Sequence, residues 1–276
     1  MAYLKIIRPL NCVFVALTVT FGAFFKNQLL FSMTVGAAML SAVFIAAGGY
    51  VINDYYDIEI DRINKPKRVL PTGKMSPGTA YLFAWIMFAL GLGISYFTKN
   101  NYCSLIAVFN IIVLYLYAKN FKKSLLLGNF MVAYAAASTF IYGGLALNNL
   151  KNSIVIAVFA FIYTLLRELI KDMEDIDGDR RSQAQTLPVK IGNKNTLVLT
   201  LIPLVLILAF SIYLFLIDYF SKVTFILFIG LILLPLLVFF FYVFPGKIKK
   251  KLAQVSIAMK IDMFVLLILL WLSWYY

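Results

Sequence analysis

Long apolar stretches alternate with short polar connections along the whole chain. Nine of these stretches have about the length, 17 to 25 residues, that a helix needs to cross a lipid bilayer. They fall at 10–25, 33–52, 77–97, 102–118, 125–146, 153–171, 195–217, 222–244 and 254–275. Because a chain inside lipid must satisfy its backbone hydrogen bonds internally, the pattern predicts an all-α integral membrane protein, a bundle of nine transmembrane helices.

The composition agrees with this interpretation. Of the 276 residues, 63% are hydrophobic and 13% are charged, and the mean hydropathy is +0.90, whereas a soluble domain is about half apolar. The formal net charge of +13 would indicate nucleic-acid binding in a soluble protein. In a membrane protein, such a charge arises because basic residues accumulate in the cytoplasmic connections. We therefore expect membrane lipid, and no nucleic acid, as a partner.

The distribution of basic residues predicts the orientation. With nine spans, Lys26, Lys99, Lys151 and Lys222 fall on one side, Lys260 lies inside the last span, and the other twenty basic residues fall on the opposite side. Positive residues remain in the cytoplasm, so we expect a cytoplasmic N-terminus and an external C-terminus in a multi-pass protein of the cell membrane. Within the last span, Asp262 is expected to be neutralised by Lys260 or to reach the interface.

An acidic motif follows the second apolar stretch, in the run NDYYDIEIDRINKPKR at 53–68. If the preceding helix continues through it, Asp54, Asp57 and Asp61 lie within about 60° of one another around the axis. Three carboxylates would then share one face.

The same spacing recurs downstream. Shifting Asp54, Asp57, Asp61 and Arg62 by 118 positions gives Asp172, Asp175, Asp179 and Arg180, so D-x-x-D-x-x-x-D-R occurs twice. An apolar stretch leads into each copy, which indicates an internal duplication. We predict a single domain over 1–276, with four-helix pseudo-repeats at about 1–124 and 125–245 and an extra helix at 254–275. The two Asp-rich motifs are expected to face one central cavity.

A cluster of six aspartates repels itself and anionic ligands, and it normally binds a divalent cation. The chain has no histidine, and Cys12 and Cys103 lie in apolar surroundings where we expect buried structural thiols. Oxygen ligands alone favour a hard cation. We therefore predict Mg²⁺ as the cofactor.

Basic residues beside the carboxylates favour a site that binds an anion. Transport of a divalent cation remains the alternative function. Arg62, Arg68, Lys171 and Arg180 accompany the two motifs. A metal-bound diphosphate requires both signs of charge. Lys119 is either topogenic, like its neighbours, or a further phosphate contact.

A basic residue, Arg8, and an amide residue, Asn11, lie near the start of the first span. These residues are either a positive-inside anchor or possible acceptor-binding residues at the rim of the cavity.

Beneath a diphosphate site, an apolar and aromatic cavity suits an isoprenoid tail, and aromatic faces can stabilise an allylic cation.

NDYYDIEIDRINKPKR and DMEDIDGDR resemble the two aspartate-rich motifs of the UbiA superfamily of intramembrane prenyltransferases. The resemblance covers essentially the whole chain and implies a helical bundle around a central cavity, in which Mg²⁺ joins aspartates to prenyl diphosphate. The implied metal and diphosphate residues are Asn53, Asp54, Asp57, Asp61, Asp172, Asp175 and Asp179. The implied diphosphate contacts are Asn53, Arg62, Arg68, Lys119, Lys171 and Arg180.

Within the superfamily, the compact chain and the run RELIKDMEDIDGD look most like the archaeal ether-lipid enzymes. That resemblance implies transfer of geranylgeranyl from its diphosphate to the free glycerol hydroxyl of geranylgeranylglyceryl phosphate, a lipid-like acceptor. Aromatic acceptors of the quinone, chlorophyll or haem type are the alternative. As the catalytic set we predict Asp57, Asp61, Lys171 and Asp175, with Asp57, Asp61 or diphosphate itself taking the proton. Prenyl chain length and oligomeric state do not follow from the sequence.

Overall fold

The computed structural model describes residues 1–25, 32–243 and 248–272. Within these ranges the secondary structure consists of helices and turns, with no β-strand. The predicted all-α class is therefore confirmed for the described part of the chain.

The helices follow the apolar windows. They are α1 (Ala2–Ile6), α2 (Pro9–Phe24), α3 (Met33–Tyr56), α4 (Ile58–Asn64), α5 (Pro77–Ser95), α6 (Asn101–Leu116), α7 (Leu127–Ala146), α8 (Leu150–Arg181), α9 (Leu187–Leu199), α10 (Leu201–Leu216), α11 (Lys222–Phe228), α12 (Leu234–Val243) and α13 (Ile248–Leu272). A 3₁₀ turn, Tyr96–Thr98, extends α5, and π turns at Tyr117–Phe121 and Ile229–Leu233 extend α6 and join α11 to α12.

Seven helical segments of the described residues are long and apolar enough to span a membrane. Over its described residues, each of the nine windows coincides largely with helix, and residues 244 and 273–275 of the last two windows lie outside the described ranges. However, α2 has only 16 residues and α7 is not among the seven. The described residues thus support seven spans by length and composition, and the count of nine stays a prediction.

Two compact units make up the chain. The first comprises Met1–Lys122 and Tyr134–Val158, and the second comprises Lys123–Ala133 and Phe159–Tyr276. The first Asp-rich motif belongs to the first unit and the second motif to the second. Because the first unit also contains Tyr134–Val158, the units differ from the pseudo-repeats expected at about 1–124 and 125–245, and the repeats stay a prediction.

Glycines set the helix packing of the first unit. A Cβ atom added to Gly143 on α7 would lie 1.8 Å from the Val19 carbonyl oxygen on α2, and one added to Gly22 would lie 2.0 Å from that of Phe140. The helix backbones therefore approach as closely as small residues permit. α3 packs against α5 in a similar way, where the Ser41 hydroxyl donates to the Gly91 carbonyl at 2.7 Å.

Aromatic side chains fill the core of the second unit. The ring of Phe159 on α8 contacts those of Phe210, Phe220 and Phe228, at centroid distances of 4.9, 6.2 and 5.2 Å. These contacts join α8 to α10 and α11 and hold the N-terminal half of the helix that carries the second motif.

The buried carboxylate of Asp262 corrects one sequence expectation. Its Oδ2 accepts a hydrogen bond from the Tyr163 hydroxyl at 2.6 Å, whereas the neighbouring Lys260 is exposed. Asp262 is 7% exposed. The partner of this carboxylate is thus a tyrosine on α8, because residues two apart on a helix do not share a face.

The close approach of α2 and α7 predicts a sharp effect of one methyl group. Gly143→Ala should destabilise the protein by about 1–3 kcal/mol, since the carbonyl that its Cβ meets belongs to backbone and cannot move alone. Thermal unfolding in detergent measures the effect. The matched control is Gly93→Ala on α5, where nothing lies within 4 Å and a gain of about 0.4–1 kcal/mol is expected. Equal melting temperatures for the two variants would contradict the packing argument.

Candidate active site

The first Asp-rich motif is a bent helix, and this corrects the expectation of one continuous helix. α3 ends at Tyr56, and Asp57, with φ −90° and ψ 0°, is both the C-cap of α3 and the N-cap of α4. Its amide donates to the Asn53 carbonyl at 3.0 Å and its carbonyl accepts from the Asp61 amide at 2.8 Å, so the residue closes the last turn of α3 and opens the first turn of α4. Asp54, Asp57 and Asp61 are 5%, 5% and 3% exposed, so all three carboxylates are buried.

Two arginines bind the outer carboxylates of this motif, and one of them, Arg68, bridges both. Arg68 lies 3.0 Å from Asp54 Oδ1 and 2.5 Å from Asp61 Oδ2, and Arg8 also binds Asp54 Oδ1. Arg8 adopts a positive φ of 54° just before the proline that opens α2. Its guanidinium also lies over the ring of Tyr50, 5.3 Å from the centroid.

Asp57 has a different pair of partners. Lys122 binds its Oδ2, and the Asn53 amide donates to the same oxygen at 2.9 Å. Lys122 directly follows the π turn Tyr117–Phe121, where its amide donates to the Tyr117 carbonyl five residues back at 2.9 Å. A π turn changes the rotational register of the residues after it, and this geometry brings Lys122 to the motif.

Charge balance follows from these pairs. Three basic side chains, Arg8, Arg68 and Lys122, meet three buried carboxylates. An ion taken out of water without compensation costs several kcal/mol. The first motif is therefore neutralised by the protein's own side chains.

The remaining basic residues predicted beside this motif lie elsewhere. Arg62 is exposed and pairs with Glu59 at 3.0 Å, one turn away on α4. The ammonium of Lys119 lies 5.6 Å from the ring centroid of Tyr115. Asn11 is exposed in the first turn of α2. The structure thus brings Arg8 and Arg68 to the carboxylates and leaves Arg62, Lys119 and Asn11 outside that set of pairs.

The second motif lies on one continuous helix, α8. The Asn129 amide donates to Asp172 Oδ2 at 2.7 Å, and the Thr186 hydroxyl donates to Asp179 Oδ2 at 2.8 Å. Asp175 is exposed. In the second copy, these contacts of Asp172 and Asp179 come from neutral donors.

Other side chains on the same helix complete this region. Glu168 is 8% exposed and accepts from Arg167 at 2.7 Å. Lys171 is half-buried and Arg180 is exposed. The two copies of the spacing therefore differ in burial and in partners, although their residue types repeat.

The donor set suits a hard metal ion, because its ligands are carboxylate and amide oxygens. Among the described residues, however, no three acidic side chains converge closely enough to enclose a metal. In the first motif the reason is visible, since Arg68 lies between Asp54 and Asp61. The residues fit Mg²⁺ chemically, and the basic partners would have to yield their positions to it.

Three residues of the site are not predicted by the sequence in this role. The charge pattern assigns Lys122 to topology, and nothing in the sequence marks Asn129 or Thr186 as a partner of an aspartate. Of the three, only Lys122 has a feature in the sequence that could have pointed to this role, because it belongs to the basic run that ends α6. The contacts of Asn129 and Thr186 depend on tertiary packing.

Both thiols match the sequence expectation. Cys12 and Cys103 are free and buried, at 6% and 0% exposed. Cys12 donates to the Ile7 carbonyl at 3.1 Å, which is the behaviour of a structural thiol.

Comparisons with known proteins agree on one family. Residues 14–275 match the profile described as the UbiA prenyltransferase family. A protein named digeranylgeranylglyceryl phosphate synthase, from Sulfolobus acidocaldarius, is 38% identical over 249 residues, which cover 90% of this chain and 89% of that one.

Solved structures give the same result for the fold. A structure described as giving insight into digeranylgeranylglyceryl phosphate synthase in membranes is 32% identical, with a TM-score of 0.85 and coverage of 99% of this chain and 97% of that one. A UbiA homologue from Archaeoglobus fulgidus, solved with DMAPP and Mg²⁺, has a TM-score of 0.69 and 21% identity, covering 97% and 99%. The latter likeness concerns the fold alone.

The pair of Lys122 and Asp57 generates a stability prediction. Lys122→Met should lower the free energy of unfolding by about 1–3 kcal/mol, because it leaves a buried carboxylate without its cation. The lysine is itself 36% exposed, which keeps the loss below that of a fully buried pair. Thermal or denaturant unfolding in detergent measures it.

Two further variants separate charge from packing. Lys123→Met removes an exposed neighbouring charge and should leave stability within about 0.5 kcal/mol. Adding Asp57→Asn to Lys122→Met should recover part of the loss, since no unpaired charge remains. A double variant as unstable as the sum of the single variants would argue against the pair.

Proposed function

Since the chain belongs to the UbiA prenyltransferase family, we propose that it transfers a geranylgeranyl group from geranylgeranyl diphosphate to geranylgeranylglyceryl phosphate. The product is digeranylgeranylglyceryl phosphate, an ether lipid. The support is the group of relatives named for this synthase, 38% identical over 90% of the chain in one case and 34% over 95% in another.

The site chemistry supports the same reaction class. Buried carboxylates alternate with basic side chains at the first motif, and this mixture of signs suits a diphosphate held together with a metal ion. A pathway for cations gains nothing from arginines bound to its carboxylates. The arrangement therefore favours the transferase over a divalent-cation transporter.

We assign the metal ligands from the two motifs. Mg²⁺ would be held by Asn53, Asp54, Asp57 and Asp61 in the first motif and by Asp172, Asp175 and Asp179 in the second. When bound, the ion would supply positive charge that stabilises the leaving diphosphate.

Basic side chains bind the same diphosphate. Arg68 reaches two aspartates at once and can reach phosphate oxygens in the same region, because its guanidinium presents a planar fork of donors. Lys171 on α8 is half-buried and supplies a second cation. Arg62, Lys119 and Arg180 are exposed or near-surface contacts for phosphate as it enters or leaves.

In the transfer step, the bond between the allylic carbon and the diphosphate oxygen breaks, and the diphosphate leaves with the electron pair. The acceptor hydroxyl oxygen forms a new bond to the allylic carbon. Its proton passes to Asp57, Asp61 or the departing diphosphate. Arg8 and Asn11, at the start of α2, are proposed contacts for the acceptor.

The protein is a multi-pass membrane protein. We propose nine crossings around a central cavity, with a cytoplasmic N-terminus, an external C-terminus and both motifs on the cytoplasmic side. The support is the excess of basic residues on that side.

Product analysis tests the function. Purified protein with Mg²⁺, geranylgeranyl diphosphate and geranylgeranylglyceryl phosphate should yield a doubly geranylgeranylated glyceryl phosphate by mass spectrometry, and EDTA should suppress it. A hydroxybenzoate or naphthoate offered in its place should remain unmodified. A prenylated aromatic instead of the ether lipid would overturn the acceptor, and metal flux without turnover would overturn the enzyme.

The motif aspartates generate a second prediction. Asp57→Ala and Asp175→Ala should each lower kcat about 100-fold or more, because each removes charge that acts on the departing diphosphate. Glu174→Gln, on the same helix as Asp175, is the matched control and should retain activity. Size-exclusion profiles verify folding. Near-normal turnover in either aspartate variant would remove that residue from the essential set.

A further inference from the structure

A cavity of 510 Å³ opens beside the first Asp-rich motif, within the first compact unit. It is lined by Lys5, Ile6, Arg8, Asp54, Lys65, Pro66, Lys67, Arg68 and Val69. The volume lies in the range of small-molecule sites, about 300–1,000 Å³. Four parts of the chain form it: α1, the residue that caps α2, the end of α3 and the connection that follows α4.

The lining is strongly basic. Five of its side chains are lysine or arginine, and one, Asp54, is acidic. Both arginines already contact the Asp54 carboxylate. The formal charge of the lining is therefore +4, and its single carboxylate is shared by two cations.

The connection that carries three of these cations is anchored in the protein core. Val69, Leu70 and Met75 are buried, at 4%, 7% and 6% exposed. The Arg68 amide donates to the Lys65 carbonyl at 3.0 Å, which closes a turn. Lys65, Lys67 and Arg68 thus project from an anchored backbone.

The cavity shares Asp54 and Arg68 with the proposed metal and diphosphate site and adds Lys5, Arg8, Lys65 and Lys67 to them. A diphosphate held through a metal requires several carboxylates, whereas the lining of this cavity has five basic side chains and one carboxylate. Such a lining suits a phosphate group that binds directly to ammonium and guanidinium groups.

We propose that Lys5, Arg8, Lys65 and Lys67, which line this cavity, bind the phosphate group of the acceptor lipid, while Arg68 remains with the diphosphate. The inference rests on the proposed function, which supplies a phosphorylated acceptor. Phosphate and free hydroxyl lie on the same three-carbon glycerol unit. A phosphate held here therefore keeps the attacking hydroxyl close to Asp54 and the first motif.

Lys5 and Lys67 are the test positions, because the two arginines also neutralise Asp54 and their removal would disturb the motif. In the double variant Lys5→Gln/Lys67→Gln, the KM for geranylgeranylglyceryl phosphate should rise about tenfold or more, since two phosphate contacts are lost. The KM for geranylgeranyl diphosphate and kcat should stay within about twofold. Lys74→Gln/Lys190→Gln removes the same charge at positions outside the cavity and should leave all three constants unchanged.

Binding without turnover gives a second readout. In EDTA, the wild-type protein should bind radiolabelled geranylgeranylglyceryl phosphate about tenfold or more tightly than the Lys5→Gln/Lys67→Gln variant. Both proteins should bind geranylgeranylglycerol, which lacks the phosphate, equally well. Equal melting temperatures confirm that the variants are folded.

The possible outcomes separate this inference from the proposed function. Wild-type ether-lipid synthesis with an unchanged acceptor KM in the double variant would overturn the phosphate site and leave the function intact. Wild-type prenylation of an aromatic acceptor alone would overturn both. A bilayer phosphate is the other source of this ligand chemistry. If the double variant loses binding to phosphatidylglycerol vesicles while its acceptor KM is unchanged, the cavity binds membrane lipid and the proposal is wrong.

Discussion

Burial of the three aspartates in the first motif is the constraint on which this half of the protein depends. A carboxylate that leaves water must meet a cation or strong donors, and here the cations come from distant parts of the chain. Arg8 lies 46 residues from its partner Asp54, and Lys122 lies 65 residues from Asp57. The motif therefore draws together the start of α2, the connection after α4 and the end of α6.

The same ion pairs relate stability to function. A buried pair contributes little net stability, because the desolvation of both ions offsets their attraction, although the loss of one partner is costly. Basic groups can thus exchange a carboxylate for a phosphate oxygen at a small net cost, provided that another cation takes over the carboxylate. A site neutralised by its own arginines and lysine needs no substrate to offset its buried charge, and its donors are of the kind that bind phosphate.

Sequence patterns predicted the features that depend on local composition. Apolar windows indicated the helices, and the acidic spacing singled out Asp54, Asp57 and Asp61, which the structure then shows to be buried. The bend at Asp57, the pairing of Lys122 and the hydrogen bond from Tyr163 to Asp262 were not predicted, because each depends on which distant side chain packs nearby. Lys122 also follows a π turn, and nothing in the order of its neighbours, Lys119 and Lys123, distinguishes it from them. Periodicity identifies which residues share one face of a helix, whereas tertiary packing decides what those residues contact.

The carboxylates in the two copies of the aspartate spacing differ in burial and in the side chains that contact them. In the first copy the carboxylates are buried and bound by arginine and lysine, next to a cavity with surplus positive charge. In the second, Asp175 is exposed on a continuous helix, and Asp172 and Asp179 accept from an amide and a hydroxyl. Neutral donors orient a carboxylate without placing a cation beside it. An enzyme that joins two phosphorylated lipids must bind two phosphorylated groups, and the cation-rich surroundings of the first motif suit direct contact with phosphate oxygens.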